Sequence, residues 1–82
     1  MAVKLYALST CPYCRMTKQF LTERGIDFEA VDVDLLEGEE RQKTIDEVKE
    51  LSGGTSFPVV RIDGEVVVGF NKSRLEELLG AS

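Results

Sequence analysis

The segment "VKLYAL", residues 3–8, is apolar almost throughout, and this property limits the folds that are open to the chain. A strand of this kind is typical of a sheet that is buried on both faces, as in α/β proteins. The chain therefore needs helices on each side of a sheet, although its 82 residues allow only a modest core. We expect a single small α/β domain that spans residues 1–82.

Hydrophobic periodicity and turn residues supply the other elements of this fold. The predicted elements after the first strand are a helix over 12–24, a strand over 26–34 with a shift or bulge near its centre, a helix over 39–51, strands over 57–62 and 65–70, and a final helix capped by Asn71 or Ser73. Met16, Phe20 and Leu21 form the apolar stripe of the first helix, which we expect in the core. The pair Asp63–Gly64 predicts a hairpin.

This element order, β-α-β-α-β-β-α, also determines how neighbouring strands run. The first two strands are joined by a helix and should be parallel, with a right-handed crossover. The last two strands form a hairpin and should be antiparallel. The predicted fold is a four-stranded mixed sheet with helices on both faces.

The chain's only two cysteines, Cys11 and Cys14, lie where the first strand gives way to the first helix. The N–H groups and partial positive charge of a helix amino terminus favour a thiolate, the attacking species in disulfide exchange. Arg15 and Lys18 are expected to add positive potential. Cys14 lies one turn along the same helix face and can reach back to Cys11. We predict that Cys11 attacks, that a more buried Cys14 resolves the mixed disulfide, and that Tyr13 is exposed beside the sulfur.

Other uses of the cysteine pair are less compatible with the sequence. A disulfide within one helical turn closes too small a loop to stabilise a fold. Zinc needs about four ligands, and the chain has no histidine and no further cysteine. A zinc or iron–sulfur centre would therefore require a dimer with added thiols. We predict a redox pair in a monomer, with no bound cofactor.

A second motif, "TSFPVV" at residues 55–60, places Pro58 at the start of the third strand. One interpretation is an ordinary trans proline, which a sheet tolerates at this position. The other is a cis Phe57–Pro58 bond that faces the cysteines and turns the Phe57 backbone outward to pair with an extended substrate. The local sequence leaves both open, since cis is the minority state even before proline.

Three motifs together, "CPYC", "SFPVV" and "VVVGFNKSRLEELL", resemble those of the glutaredoxin family of the thioredoxin superfamily. The resemblance extends over nearly the whole chain. It implies a thioredoxin-like fold, a cis Pro58, Cys11 as the nucleophile and Cys14 as the resolving thiol. It also implies a groove that binds glutathione as co-substrate, formed by Tyr13, Ser56, Phe57, Pro58, Gly69, Phe70 and Asn71.

The chain departs from typical glutathione-using members at several positions. Leu8 stands where they carry a lysine, and Gly54 and Thr55 stand where they carry a basic or amide residue. Phe70 replaces the second glycine of a pair, and the acidic residues that follow it are absent; Lys72 could meet a carboxylate instead. The pattern resembles the glutaredoxin-like redoxins that serve ribonucleotide reductase, some of which draw electrons from thioredoxin reductase. The expected partners are disulfide-containing proteins, with glutathione or thioredoxin reductase as the electron donor and ribonucleotide reductase as one target.

Charge and hydropathy argue against two other classes of partner. The net charge is −5, whereas nucleic-acid binding requires clustered Lys and Arg. The apolar runs are far shorter than the roughly 20 residues that span a bilayer. The segment "MAVKLYALS" lacks the positive leader and apolar length of a signal peptide. We predict a cytoplasmic protein that binds neither nucleic acid nor membranes.

Overall fold

The computed structural model describes residues 2–54 and 56–80, and these form one sheet with helices packed on it. Thr55, which belongs to the "TSFPVV" motif, lies outside the described residues. The elements in chain order are β1 (Val3–Ala7), α1 (Pro12–Glu23), β2 (Glu29–Asp32), a short 3-10 helix (Val33–Leu35), α2 (Gly38–Ser52), β3 (Val59–Ile62), β4 (Glu65–Val68) and α3 (Lys72–Leu78).

The sheet has four strands in the order β2-β1-β3-β4, which confirms the predicted mixed topology. β1 pairs in parallel with β2 and antiparallel with β3, and β3 pairs antiparallel with β4. Ile62 pairs with Glu65, so Asp63 and Gly64 form the predicted hairpin turn. Asp63 takes a positive φ of 53°, a conformation that aspartate tolerates better than most residues.

Helices cover both faces of the sheet, as predicted. On one face, α1 and α3 pack against the sheet, and the buried residues there are Val3, Leu5, Ala7, Cys14, Phe20, Leu21, Val60, Ile62, Val67, Leu75 and Leu79. On the other face, Val48 of α2 packs with Tyr6, Val59 and Val33. β1 contributes to both clusters, which explains why its sequence is apolar almost throughout.

The predicted shift or bulge in the second strand is wrong. β2 covers only Glu29–Asp32, and its pairing with β1 is unbroken from Lys4–Glu29 to Ala7–Asp32. Ile26 and Phe28 contact the core under α1, whereas Val31 and Val33 contact the core under α2. The apolar phase therefore changes because the chain passes from one covered face to the other, while the backbone alternation continues.

The apolar stripe of α1 also differs from its prediction. The buried residues are Cys14, Thr17, Phe20 and Leu21, whereas Met16 is 45% exposed. Thr17 can be buried because its hydroxyl donates to the carbonyl of Tyr13 at 2.8 Å. The centre of the buried stripe thus runs through Cys14 and Thr17, and Met16 lies to one side of it.

The end of α1 and the start of α3 both agree with the residues predicted to cap them. Gly25 lies just beyond α1 with a φ of 68°, the left-handed conformation that glycine adopts without steric cost. The side chain of Asn71 accepts a hydrogen bond from the N–H of Arg74 at 3.1 Å and so caps α3. Gly25 thus marks where α1 ends, and Asn71 marks where α3 begins, on the same face of the sheet.

Candidate active site

The cysteine pair lies at the carboxyl end of β1, in the turn that leads into α1. The N–H of Cys11 donates to the carbonyl of Leu8 at 3.2 Å, which closes this turn. Cys11 precedes Pro12 and has an extended backbone, with φ −84° and ψ 120°, as expected for a residue before proline. Pro12 then occupies the first helical position, where a missing N–H costs nothing.

The two thiols are unbridged and differ in exposure. Cys14 is fully buried in the core under α1, whereas Cys11 is partly exposed and packs at the edge of the same cluster. The sequence-based expectation that Cys14 is the less exposed thiol is confirmed. An incoming disulfide can therefore reach the sulfur of Cys11, whereas Cys14 is closed to solvent.

The surroundings of Cys11 lower the pKa of its thiol. The largest contribution is a hydrogen bond from the thiol of Cys14, and the backbone N–H groups of Cys14 and Tyr13 add to it against a desolvation cost. Cys11 does not cap α1 through a regular side-chain hydrogen bond, but these N–H groups carry the positive end of the helix dipole. Cys11 is the thiol of the pair that ionises first.

Burial has the opposite effect on Cys14 and raises its pKa to about 11. Hydrogen bonding and charge interaction with Cys11 raise the pKa further, because the Cys14 thiol is the donor to the Cys11 thiolate. The N–H of Leu8, which points at the Cys14 sulfur at 3.5 Å, and the charge of Lys18 act in the other direction. The reduced pair thus holds one proton on Cys14 and places the negative charge on Cys11.

This asymmetry predicts two well-separated ionisations in the reduced protein. Since a lowered pKa means that the anion forms at lower pH, Cys11 should ionise below the roughly 8.5 of a free cysteine. Cys14 should ionise only near 11. Ultraviolet thiolate absorbance as a function of pH measures both steps, and Cys14→Ser should retain only the first. A first step at or above the free-cysteine value would contradict the assignment.

The charge of Lys18, one of the two basic residues expected to add positive potential, acts on the buried thiol of the pair. The ammonium of Lys18 pairs with Asp32 at the end of β2, at 2.9 Å, and acts on Cys14. Arg15 is exposed on α1. The hydrogen bonds to Cys11 come instead from its own helix turn and from the Cys14 thiol.

The Phe57–Pro58 peptide bond is cis, as the family resemblance implies. The carbonyl of Pro58 accepts a hydrogen bond from the N–H of Gly69 at 2.7 Å, which joins the start of β3 to the end of β4. Phe57 contacts the core clusters on both faces of the sheet, and Cys11 and Phe70 contact one of them. The proline segment and the cysteine turn therefore lie at the same end of the sheet.

The remaining predicted groove residues surround this end to different degrees. Tyr13 is 61% exposed and Ser56 is also exposed, whereas Gly69 and Phe70 are half-buried. Phe70 packs edge-on against Phe20, with ring centroids 5.9 Å apart. Asn71 is the cap of α3, so its side-chain oxygen already has a partner. The role of these residues in binding a substrate or glutathione stays a prediction.

A groove of about 280 Å³ opens beside Phe70 on the outer side of α1. Its lining residues are Met16, Gln19, Phe20, Glu23, Phe70 and Lys72. Lys72, which we predicted as a possible partner for a carboxylate, is exposed next to Phe70.

Comparison with known proteins agrees with the fold. A sequence model of the glutaredoxin family matches residues 3–67. The chain belongs to the glutaredoxin family. Family membership and the cysteine pair together support thiol–disulfide oxidoreductase activity in general.

Individual relatives cover nearly the whole chain. It is 39% identical to a glutaredoxin-like 8.6 kDa protein of the rubredoxin operon of Clostridium pasteurianum, over 94% of this chain and 96% of that protein. The glutaredoxin structure from Archaeoglobus fulgidus aligns with a TM-score of 0.91 and 49% identity, over 96% of this chain and 87% of that one. Methanoredoxin from Methanosarcina acetivorans aligns with a TM-score of 0.91 and 42% identity, over 96% and 84% of the two chains.

Sequence reasoning missed one contact of this glutaredoxin beside the cysteine turn, that between Ser9 and Asp34. The N–H and the hydroxyl of Ser9 donate to the two carboxylate oxygens of Asp34, at 2.9 and 2.5 Å. These hydrogen bonds lower the pKa of Asp34, the hydroxyl contributing most. The signal that could have found the contact is an acidic residue just after a strand parallel to β1, where such strand ends meet at one edge.

Within residues 2–54 and 56–80, no group of three or more His, Cys, Asp or Glu side chains is arranged to hold a metal ion. The longest helix of the described chain, α2, has 15 residues, and none of its helices is long and apolar enough to cross a bilayer.

Proposed function

We propose that this glutaredoxin reduces disulfides, in proteins or between proteins and glutathione, through the Cys11–Cys14 pair. The observation that carries the proposal is the asymmetry of the two thiols. Cys11 is accessible and has a lowered pKa, whereas Cys14 is fully buried and has a raised pKa. The accessible Cys11 thiolate suits the attack on a substrate disulfide. The buried, protonated Cys14 thiol suits the later attack on the mixed disulfide, so the two cysteines fit successive steps of one exchange.

In the first step, the Cys11 thiolate attacks one sulfur of the substrate disulfide. A bond forms between Cys11 and that sulfur while the substrate S–S bond breaks, and the second substrate sulfur leaves as a thiolate. The hydrogen bond from the Cys14 thiol supports the anionic form of Cys11 before attack. The exposure of Cys11 gives the substrate a path to the sulfur.

In the second step, Cys14 attacks the Cys11 sulfur of the mixed disulfide. Once Cys11 is part of a disulfide, it no longer carries the charge that holds the Cys14 proton, so two contributions that raise the pKa of Cys14 disappear. The N–H of Leu8 and the charge of Lys18 remain and favour the Cys14 thiolate. The proton passes to solvent or to the departing thiolate, the Cys11–Cys14 disulfide forms, and the substrate leaves reduced.

Glutathione is the electron donor that we favour for regeneration. Two glutathione thiols reduce the Cys11–Cys14 disulfide and become glutathione disulfide, so two electrons and two protons return to the pair. Membership of the glutaredoxin family supports this donor. The groove predicted for glutathione comprises Tyr13, Ser56, Phe57, Pro58, Gly69, Phe70 and Asn71.

Thioredoxin reductase is the second candidate donor, with ribonucleotide reductase as a target. Two positions favour it over glutathione. Leu8 offers its backbone N–H to Cys14 and no positive side chain to a carboxylate. The ring of Phe70 packs against Phe20 where a glycine would leave space for a ligand.

A coupled assay of NADPH consumption separates the two donors. With glutathione, glutathione reductase and a disulfide substrate, we expect turnover well above that of a control lacking the protein. The parallel assay contains thioredoxin reductase and no glutathione. Turnover in that assay alone would favour the second donor and is the result expected if Leu8 and Phe70 exclude glutathione. An absence of turnover in both would contradict the proposed function.

A further inference from the structure

Asp34 makes a two-point contact with the segment that leads to Cys11. Its Oδ1 accepts the N–H of Ser9 at 2.9 Å, and its Oδ2 accepts the hydroxyl of Ser9 at 2.5 Å. Asp34 lies in the 3-10 helix directly after β2, and β1 and β2 are parallel neighbours paired up to Ala7 and Asp32. The carboxylate therefore holds the first loop residues after β1 from the adjacent strand end.

The contact with Ser9 also fixes the carbonyl of Leu8, because that carbonyl and the Ser9 N–H belong to the same planar peptide group. The Leu8 carbonyl of this peptide accepts a hydrogen bond from the N–H of Cys11 at 3.2 Å. A rotation of the peptide would break both hydrogen bonds. Asp34 thus determines the orientation of the peptide that closes the turn before Cys11.

The neighbouring peptide carries the link to Cys14. The N–H of Leu8 donates to the sulfur of Cys14 at 3.5 Å, and this hydrogen bond favours the Cys14 thiolate. This N–H belongs to the Ala7–Leu8 peptide, which meets the Leu8–Ser9 peptide held by Asp34 at the Cα of Leu8. A series of contacts thus runs from Asp34 through Ser9 and Leu8 to Cys14.

We propose that Asp34 is a positioning residue for the resolving step, because it holds the Leu8–Ser9 peptide so that the Leu8 N–H points at Cys14. The proposal rests on the proposed function, in which Cys14 resolves the mixed disulfide. Loss of Asp34 should therefore slow the attack by Cys14 more than the attack by Cys11. A role in stability alone would not separate the two steps.

An aromatic disulfide with a coloured thiolate leaving group resolves the two steps in a single stopped-flow experiment. Attack by Cys11 releases the first coloured thiolate and leaves the second aromatic thiol bound to Cys11. Attack by Cys14 on the Cys11 sulfur then releases the second thiolate. Each phase is measured as a function of pH, since the apparent pKa of the second phase reports Cys14 in the mixed disulfide.

In Asp34→Ala we expect the second phase to slow by about tenfold, the effect of losing one hydrogen bond to an anion. The first phase should change much less, and the apparent pKa of the second phase should rise. Lys18, the charged group that acts on Cys14, and both cysteines are unaltered in this variant. Asp34→Asn should recover most of the second-phase rate, because its amide oxygen can still accept the Ser9 N–H.

Asp46→Ala is the matched control. Asp46 is exposed on α2 and accepts one side-chain hydrogen bond, from Gln42 at 3.0 Å, so both phases should stay at the wild-type rates. If Asp34→Ala does not fold, Ser9→Ala removes the Oδ2 contact alone and should slow the second phase selectively, to a smaller extent.

Equal slowing of both phases, or an unchanged second phase, in Asp34→Ala or its substitute would overturn the positioning role. Failure of Asp34→Asn to recover the second phase would do the same. A wild-type protein without a second phase, or a Cys14→Ser variant that keeps it, would instead contradict the proposed function, so the two failures are distinguishable.

Discussion

Replacing Cys11 by serine should reduce disulfide-reducing turnover to the uncatalysed rate. A serine hydroxyl does not ionise near neutral pH, so the variant lacks the anion that attacks the substrate disulfide. The one remaining thiol, Cys14, is fully buried, and burial raises its pKa to about 11. The coupled NADPH assay, with either donor, measures the loss. Substantial turnover in Cys11→Ser would show that the attacking group lies elsewhere.

The matched control for this change is Cys14→Ser, which leaves Cys11 in place. This variant should still exchange mixed disulfides with glutathione, because that reaction needs only the attack by Cys11 and a second glutathione thiol. It should lose the reduction of protein disulfides that depends on resolution by Cys14. Unimpaired reduction of protein disulfides by Cys14→Ser would contradict the resolving role.

Leu5→Ala should strongly destabilise the protein, lowering the free energy of unfolding by about 2–5 kcal/mol. Leu5 is fully buried on the inner strand β1, where its Cα partners are Ala30 and Val60. Strands on both sides and helices above it restrict the collapse that could fill the cavity. A loss of this size is a large share of the roughly 5–15 kcal/mol that stabilises a typical domain. Chemical denaturation of the reduced protein measures the difference.

Leu35→Ala is the control for Leu5→Ala because it deletes the same atoms at a surface position. Leu35 is 66% exposed in the 3-10 helix. Exposed substitutions of this kind usually change stability by no more than about 0.5 kcal/mol. A similar loss of stability in both variants would mean that burial in the sheet core is not what makes Leu5 important.

The outcomes at α1 show where sequence patterns predict side-chain positions well and where they do not. The helix itself and the burial of Phe20, Leu21 and Cys14 follow from periodicity and from Pro12. The exposure of Met16 does not, because an apolar residue beside the stripe is buried only if another element covers it. Burial of polar Thr17 depends on a hydrogen bond to the Tyr13 carbonyl, which satisfies its hydroxyl.

The sequence by itself determined the element order, the mixed sheet and the position of the cysteine pair at a strand–helix junction. These features are local, since strand alternation, helical stripes, proline and glycine act over a few neighbouring residues. The order of exposure within the pair follows for the same reason, because Cys14 lies one turn into a helix whose inner face is apolar.

Only the tertiary structure decided which residues complete the site. The Ser9–Asp34 contact joins residues 25 positions apart, and the Pro58–Gly69 hydrogen bond joins two further strand ends. The ion pair between Lys18 and Asp32 and the unbroken register of β2 likewise depend on how β1 and β2 lie side by side. The physical reason is that hydrogen bonds, desolvation and charge pairing depend on distances in space, which are established only when the elements pack together.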